Sequence, residues 1–357
     1  MADDSMAEFW RGRRVLLTGH TGFKGGWLSL WLANLGAEVT GYALAPPPNE
    51  PNLWAIVGGA AHSVIGDIRD AKRVDEAVAR ADPQIVIHMA AQALVRESYR
   101  DPLGTYGTNV LGTAVLLQAC RALRRLECAV VVTSDKVYEN RGAGRPFEES
   151  DRLGGHDPYS SSKACAELLT SCFRDSFFAD GPPIATVRAG NVIGGGDWSQ
   201  DRLIPDCVRA LSAGKPVSLR YPGATRPWQH VLEPLSGYLA LAQGLATAPR
   251  KMPNAVNFGP EPSSFCTVGA VVDAFSARFA GKPGWVRDPG MHPPEAGALT
   301  LSSVLAGDAL GWRPRLDIRE SISWTADWYR AHLAGENMLA FSEAQIARYG
   351  DLMSRSR

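Results

Sequence analysis

The chain has 357 residues, with 37 basic side chains against 37 acidic ones and no net formal charge, a balance that gives no electrostatic case for binding nucleic acid or an anionic membrane. Its length suits one large or two modest domains around a sizeable core. Apolar runs such as "AVVVT" are strand-sized and too short to span a bilayer, and "MADDSMAEFWRG" has no positively charged leader before an apolar block, so no export signal is expected.

In chain order, "RVLLTG" (14–19) reads as a buried strand and "GGWLSLWLANLG" (25–36) as a helix closing at Gly36. "AEVTGYAL" (37–44) is strand-like and "APPPNEP" (45–51) a loop. "HSVIGD" (62–67) predicts a third strand, 69–81 an amphipathic helix, and "QIVIHMAA" (84–91) a fourth strand. One long helix is expected over 102–124, a fifth strand at "CAVVVTSD" (128–135), a helix over 158–178 and a sixth strand at "IATVRAG" (184–190). Apolar strands alternating with helices predict an α/β fold, a Rossmann-like doubly wound parallel sheet covered on both faces. After residue 190, Gly, Pro, Trp and Arg become frequent and the elements short. The expected organisation is a first domain over 1–190 and a smaller α/β lobe over 191–357, with segments near 228–260, "AVNFGP" among them, returning to the main sheet. Six cysteines, at 120, 128, 165, 172, 207 and 266, show no metal-binding spacing; reduced thiols, no metal and a cytoplasmic setting are expected.

"TGHTGFKGGW" (18–27) spaces Gly19, Gly22 and Gly25 as G-x-x-G-x-x-G between a strand and a helix. Glycines let backbone approach a pyrophosphate, and the helix N-terminus favours its charge. Cofactor contacts are expected from Gly19, Gly22, Phe23 and Gly25, from Asp67 and Ile68 after strand three, and from Ala90, Ala91 and Gln92 at the end of strand four, with Gln92 toward the nicotinamide ribose. Asp67 reads equally well as a helix cap. No Arg or Lys lies between 37 and 50 to meet a 2′-phosphate, which favours NAD over NADP; the acid usual roughly 20 residues past the loop is missing too, which predicts a looser grip on the ribose.

"YSSSK" puts Tyr159 and Lys163 at i and i+4, on one helix face. A nearby ammonium stabilises a phenolate, and such a tyrosine takes a proton from a sugar hydroxyl as hydride leaves for nicotinamide. "TSDKVYEN" (133–140) adds Ser134 and, side by side, Asp135 and Lys136. With "AAQALVRESYRDP", "DPYSSSKACAEL", "RAGNVIGGGDW", "DRLIPDCVRA" and "RPWQHVLEPLSGYL", the chain resembles the extended short-chain dehydrogenase/reductase family over nearly its whole length, and within it the CDP-glucose branch of the nucleotide-sugar 4,6-dehydratases.

That resemblance implies a lyase using NAD as a prosthetic group on CDP-glucose, in deoxysugar and surface-polysaccharide (O-antigen) synthesis. It implies that Ser134, Tyr159 and Lys163 serve oxidation at C4, and that Asp135 and Lys136 serve loss of water across C5 and C6. Lys136 acts either as a neutral base, its reference pKa of about 10.4 then depressed, or as a cation holding the enolate oxygen. Asn191 and Arg226 are implied for the substrate diphosphate, with Arg202 and Arg220 as further guanidinium forks. Lys24 adds charge near a phosphate, Arg96 and Glu97 lie within reach of the sugar, and Glu295 belongs to a substrate-side segment. Trp198 and Trp228 are expected to pack the lobe, the alternative being walls for the cytosine, and His230 is expected to be structural. Pro294 stands where the branch tends to have histidine, and "GTYGTNV" has glycines where glutamates are more usual. Relatives pair through the helices matching 102–124 and 159–178, so a homodimer is expected. The competing enzyme reading is an epimerase, reductase or dehydratase on another nucleotide sugar; a plain C4 epimerase has no need of a C5 proton shuttle. A non-catalytic dinucleotide sensor would not need Tyr159 and Lys163.

Overall fold

The computed structural model describes residues 2–48, 50–59, 61–140, 142, 144–281, 284–290 and 299–355. The apolar runs of the first half form β1 (Arg14–Thr18), β2 (Glu38–Ala43), β3 (His62–Ile65), β4 (Ile85–His88), β5 (Cys128–Val132) and β6 (Ile184–Ala189). The second half adds β7 (Asn191–Ile193), β8 (Val217–Leu219), β9 (Thr225–His230), β10 (Ala255–Phe258), β11 (Phe265–Thr267) and β12 (Trp285–Arg287). Seven strands make one parallel sheet in the order β10-β6-β5-β4-β1-β2-β3.

Both faces of this sheet are buried, which is why its strands read as unbroken apolar runs. Val15 and Leu17 enter one cluster with Trp27, Trp31 and Val187, while Leu16 enters the other with Val74, Val78 and Leu116. Fully burying a Val or Leu side chain is worth roughly 1.5–3 kcal/mol. β4 and β5, buried at every position, therefore define the centre, and the half-exposed β3 sits at the edge. The strand order reverses between β1 and β4, so a crevice opens beyond their C-terminal ends, the usual ligand position in such sheets.

β6 and β7 are separated by Gly190 alone, after which β7 joins a three-stranded sheet, β11-β9-β7, while β12 pairs with β8. The helix Leu232–Thr247 crosses back under the main sheet, where its Ala242 carbonyl receives the Cys128 thiol at 3.4 Å.

Several boundaries differ from expectation for local reasons. A helix Ala2–Trp10, not expected from the sequence, precedes β1; the helix after the glycine loop runs from Phe23 to Asn34, the one after β3 starts at Ala71, and β4 and β5 stop at His88 and Val132. The long helix of 102–124 is three pieces: Pro102–Tyr106, a π turn Gly107–Leu111, and Gly112–Cys120. Glycines at 104, 107 and 112 weaken the helical preference there.

Candidate active site

Thr18 and His88 close β1 and β4, and their Oγ1 and Nδ1 atoms lie 2.6 Å apart. The N–H groups of Met89 and Ala90 both donate to the Thr18 hydroxyl at 3.1 Å, which pins the chain against the glycine loop. Gly19 has φ of +79°, and a Cβ on it would lie 2.8 Å from Ala90 N; both facts require glycine. Gly22 caps the 12-residue helix Phe23–Asn34 without a side-chain hydrogen bond, which leaves the N–H groups of its first turn open to an anion. A Cβ on Gly25 would stand 2.0 Å from Gly19 O. This cradle, which side chains would fill, fits the pyrophosphate of a dinucleotide. The His20 ring occupies the space beside Gly41 of β2, where an added Cβ would lie 2.3 Å from His20 Cγ.

Ala90, Ala91 and Gln92 form the loop beyond β4. The Gln92 N–H donates to Asn109 Oδ1 at 2.9 Å, and Asn109 Nδ2 donates to Gln92 O at 3.0 Å and Ser162 Oγ at 2.8 Å. Asn109 lies in the π turn, a distortion common at functional sites. Asp67 points at Arg69, whose hydrogen bonds hold its carboxyl below the usual range. The helix cap is Asp70, which accepts from Arg73 N–H, so the capping alternative for Asp67 is displaced by three residues. Ile68 is buried against Gly112.

Ser134, Asp135 and Lys136 follow β5 directly. Ser134 Oγ accepts from Lys136 N–H at 3.2 Å and donates to Asp135 Oδ1 at 3.0 Å, while Lys136 Nζ stands 3.6 Å from the same Oδ1. Asp135 is 3% exposed, and the Lys136 side chain 30%. Tyr159 is buried at the start of helix Pro158–Phe177, capped by Asp157. One turn on, Lys163 Nζ donates to Val132 O at 3.1 Å; burial pulls its pKa down to about 8 against the opposing charge of Glu167. Lys24 Nζ donates to Tyr238 OH at 2.8 Å. Burial, then Lys163 and Arg202, lower Lys24 to about 7 while Asp135 opposes them. Burial raises Tyr238, and the charges of Tyr159 and Asp135 add to that rise. Tyr159, Lys163, Asp135, Lys24 and Tyr238 therefore share one electrostatic neighbourhood.

The arginines of the second half arrive on loops and strand ends. Arg202 Nη2 donates to Ala93 O at 3.1 Å, and Arg96 pairs with Asp201 at 2.7 Å. Arg96, Arg100, Trp198, Asp201 and Arg209 help line a cavity of about 630 Å³. Arg220 lies beyond β8 within electrostatic reach of Asp206, Arg226 is in β9, and Asn191 opens β7 opposite Trp228. Glu97 pairs outward with Arg100 in helix Val95–Arg100. Trp228 donates to Cys266 O, Trp198 packs edge-on against Tyr329, and buried His230 lies between Trp27 and Trp324. Glu295 and Pro294 lie outside the described residues.

Sequence reasoning passed over Glu167, Arg188, Tyr138, Tyr238 and Asn109. The spacing of Glu167 four residues beyond Lys163 on one helix face was the available signal for the first of them. Among the described residues no group of His, Cys, Asp and Glu is placed to hold a metal ion, and no helix is long and apolar enough to cross a membrane. All six cysteines are free.

The model of the NAD dependent epimerase/dehydratase family matches residues 15–259. The CDP-glucose 4,6-dehydratase of Salmonella typhimurium is 46% identical over 355 residues, covering 97% of this chain and 99% of that protein. The dTDP-glucose 4,6-dehydratase of Streptomyces antibioticus is 34% identical over 276 residues, 76% of this chain and 77% of that one. Among solved structures, the UDP-glucose 4-epimerase of Thermus thermophilus in complex with NAD aligns with a TM-score of 0.77 at 28% identity, over 89% of this chain and 99% of that chain.

Proposed function

Since the chain belongs to the NAD dependent epimerase/dehydratase family, we propose that it is a hydro-lyase that converts CDP-glucose to CDP-4-keto-6-deoxyglucose. The observation that carries this reading is the Asp135–Lys136 couple, 3.6 Å apart beside Ser134 and in the same electrostatic neighbourhood as Tyr159. An epimerase that only oxidises and reduces C4 has no use for a second acid and base at that place.

Bound in the cradle of Gly19, Gly22, Phe23 and Gly25, with Ala90, Ala91 and Gln92 beside it, NAD supplies a hydride acceptor that is restored within each turnover. Tyr159 takes the proton of the C4 hydroxyl, and the Lys163 ammonium one helical turn away stabilises the phenolate. Ser134 orients the same oxygen. The 4-ketone acidifies C5; Lys136 removes the C5 proton while Asp135 protonates the C6 hydroxyl, which leaves as water. Lys136 then returns its proton to C5 as C6 is reduced, and the proton held by Tyr159 replaces the one Asp135 gave. Arg202, Arg220 and Arg226 neutralise the diphosphate, Asn191 hydrogen-bonds it, Lys24 adds partial charge near a phosphate, and Arg96 reaches the hexose.

The cofactor half is residues 1–190, and the substrate half lies mainly in 191–357. Leu103, Leu111 and Leu168, 84%, 64% and 60% exposed on the two long helical segments, give an apolar face for a second copy, which supports a homodimer. Six free cysteines suit the reducing cytoplasm. The test is incubation with CDP-, dTDP-, UDP- and GDP-glucose, with and without added NAD, read by the alkali-induced ultraviolet absorbance of the 4-keto product. CDP-glucose is expected to give the fastest turnover. Product from a non-cytidine donor alone overturns the substrate; no 4-keto product from any donor overturns the reaction.

A further inference from the structure

The segment 133–138 is fastened at both ends to a single buried ion pair. Glu167 and Arg188 meet in a bidentate fork at 2.9 and 2.9 Å, their side chains 4% and 4% exposed. Glu167 also accepts from the Thr133 hydroxyl, immediately before Ser134, and from Thr186 Oγ1 at 2.6 Å, so each carboxylate oxygen carries two donors. Arg188 Nη1 donates to Tyr138 OH at 2.7 Å, two residues after Lys136, and to Glu149 O at 3.1 Å. The Tyr138 hydroxyl donates to Asn257 Oδ1 at 2.7 Å, and its ring stacks on Phe147 at 4.9 Å.

A buried ion pair adds little net stability over well-packed apolar groups of the same volume. What this one does supply is position. Of its contacts outside the pair, one holds the residue before the Ser-Asp-Lys triplet and one holds the residue shortly after it, and the two are locked together by the fork. We propose that Glu167 and Arg188, acting through Thr133 and Tyr138, are positioning residues that set Asp135 and Lys136 for the elimination half of the reaction. The inference rests on the dehydratase reading above. Neither side chain touches the reacting atoms.

Glu167→Gln and Arg188→Met each strand a buried partner and are expected to unfold or lose much stability, so the test uses the two ends. Tyr138→Phe removes one hydroxyl and keeps the stacking. In single turnover with CDP-glucose, reduced-nicotinamide fluorescence is expected to rise at the wild-type rate, while the 4-keto-6-deoxy product forms about ten- to hundredfold more slowly. KM is expected to stay within about twofold. Thr133→Val, which unfastens the end beside Ser134, slows both steps, and Thr133→Ser restores them. The inference is overturned if Tyr138→Phe leaves both steps within about twofold of wild type, or slows both by one common factor as general loosening would. A wild-type protein that dehydrates no nucleotide-diphosphate glucose overturns the dehydratase reading and this inference together; a competent wild type with an indifferent Tyr138→Phe variant overturns the brace alone.

Discussion

At the end of β5, Asp135 is 3% exposed, with the Ser134 hydroxyl against it and a saturated polar network behind it. Where the loop after β4 meets the second half of the chain, Arg96 and Asp201 face each other at 2.7 Å with side chains 38% and 29% exposed. The first arrangement is held in a low-dielectric interior, where each polar contact resists displacement. The second is a pair worth about 0–1 kcal/mol, easily traded for contact with an anionic ligand. The contrast separates a region built to hold reacting groups still from one free to re-pair around a substrate. Changes to the first should act on kcat, and changes to the second on KM.

The largest expected effects test the rigid side. Tyr159→Phe should lower turnover about 10²–10⁴-fold with no reduced nicotinamide formed. Lys136→Ala should still show the fluorescence of C4 oxidation yet release no 4-keto-6-deoxy product; full dehydration by that variant refutes its role. On the more exposed side, Arg96→Ala is expected to raise KM about tenfold with kcat within about twofold and stability within about 0.5 kcal/mol. A fall in kcat alone would place Arg96 with the rigid group instead.

The smallest effect concerns the core behind both regions. Burial pulls His230 down to about 3 from an ordinary value of 6.5. The unfolded chain therefore binds the proton more tightly, so the contribution is complete above about pH 6.5 and is lost as pH falls toward about 3. The melting temperature of His230→Phe should fall less than that of wild type between pH 7 and pH 5, while Arg96→Ala should track wild type. Parallel curves for His230→Phe and wild type would remove His230 from the acid response.

The sheet was legible because its strands are buried on both faces and so appear as apolar runs. The glycine loop was legible because three glycines, a strand and a helix must coincide. Other features leave weak traces. Glu167 sits in an amphipathic helix where a carboxylate normally faces solvent, and only the fold brings Arg188 and Thr133 to it. Lys24 and Tyr238 are 214 positions apart, and no periodicity relates them. The π turn at Gly107–Leu111 inserts its extra residue into a stretch whose spacing reads as an ordinary helix. Asp67 reads as a cap from sequence, yet Asp70, three residues on, is the residue that accepts from Arg73 N–H.

The single-residue link at Gly190 also bears on how such enzymes can be recombined. β10, from the second half, supplies the outer strand beside β6 with Val256 and Phe258 fully buried. A chimera spliced at position 190 would exchange that strand for the relative's, so a foreign β10 would have to take up register and packing against this chain's β6. Exchange of donor preference between relatives is therefore expected to succeed by grafting individual loops, not by shuffling contiguous gene halves.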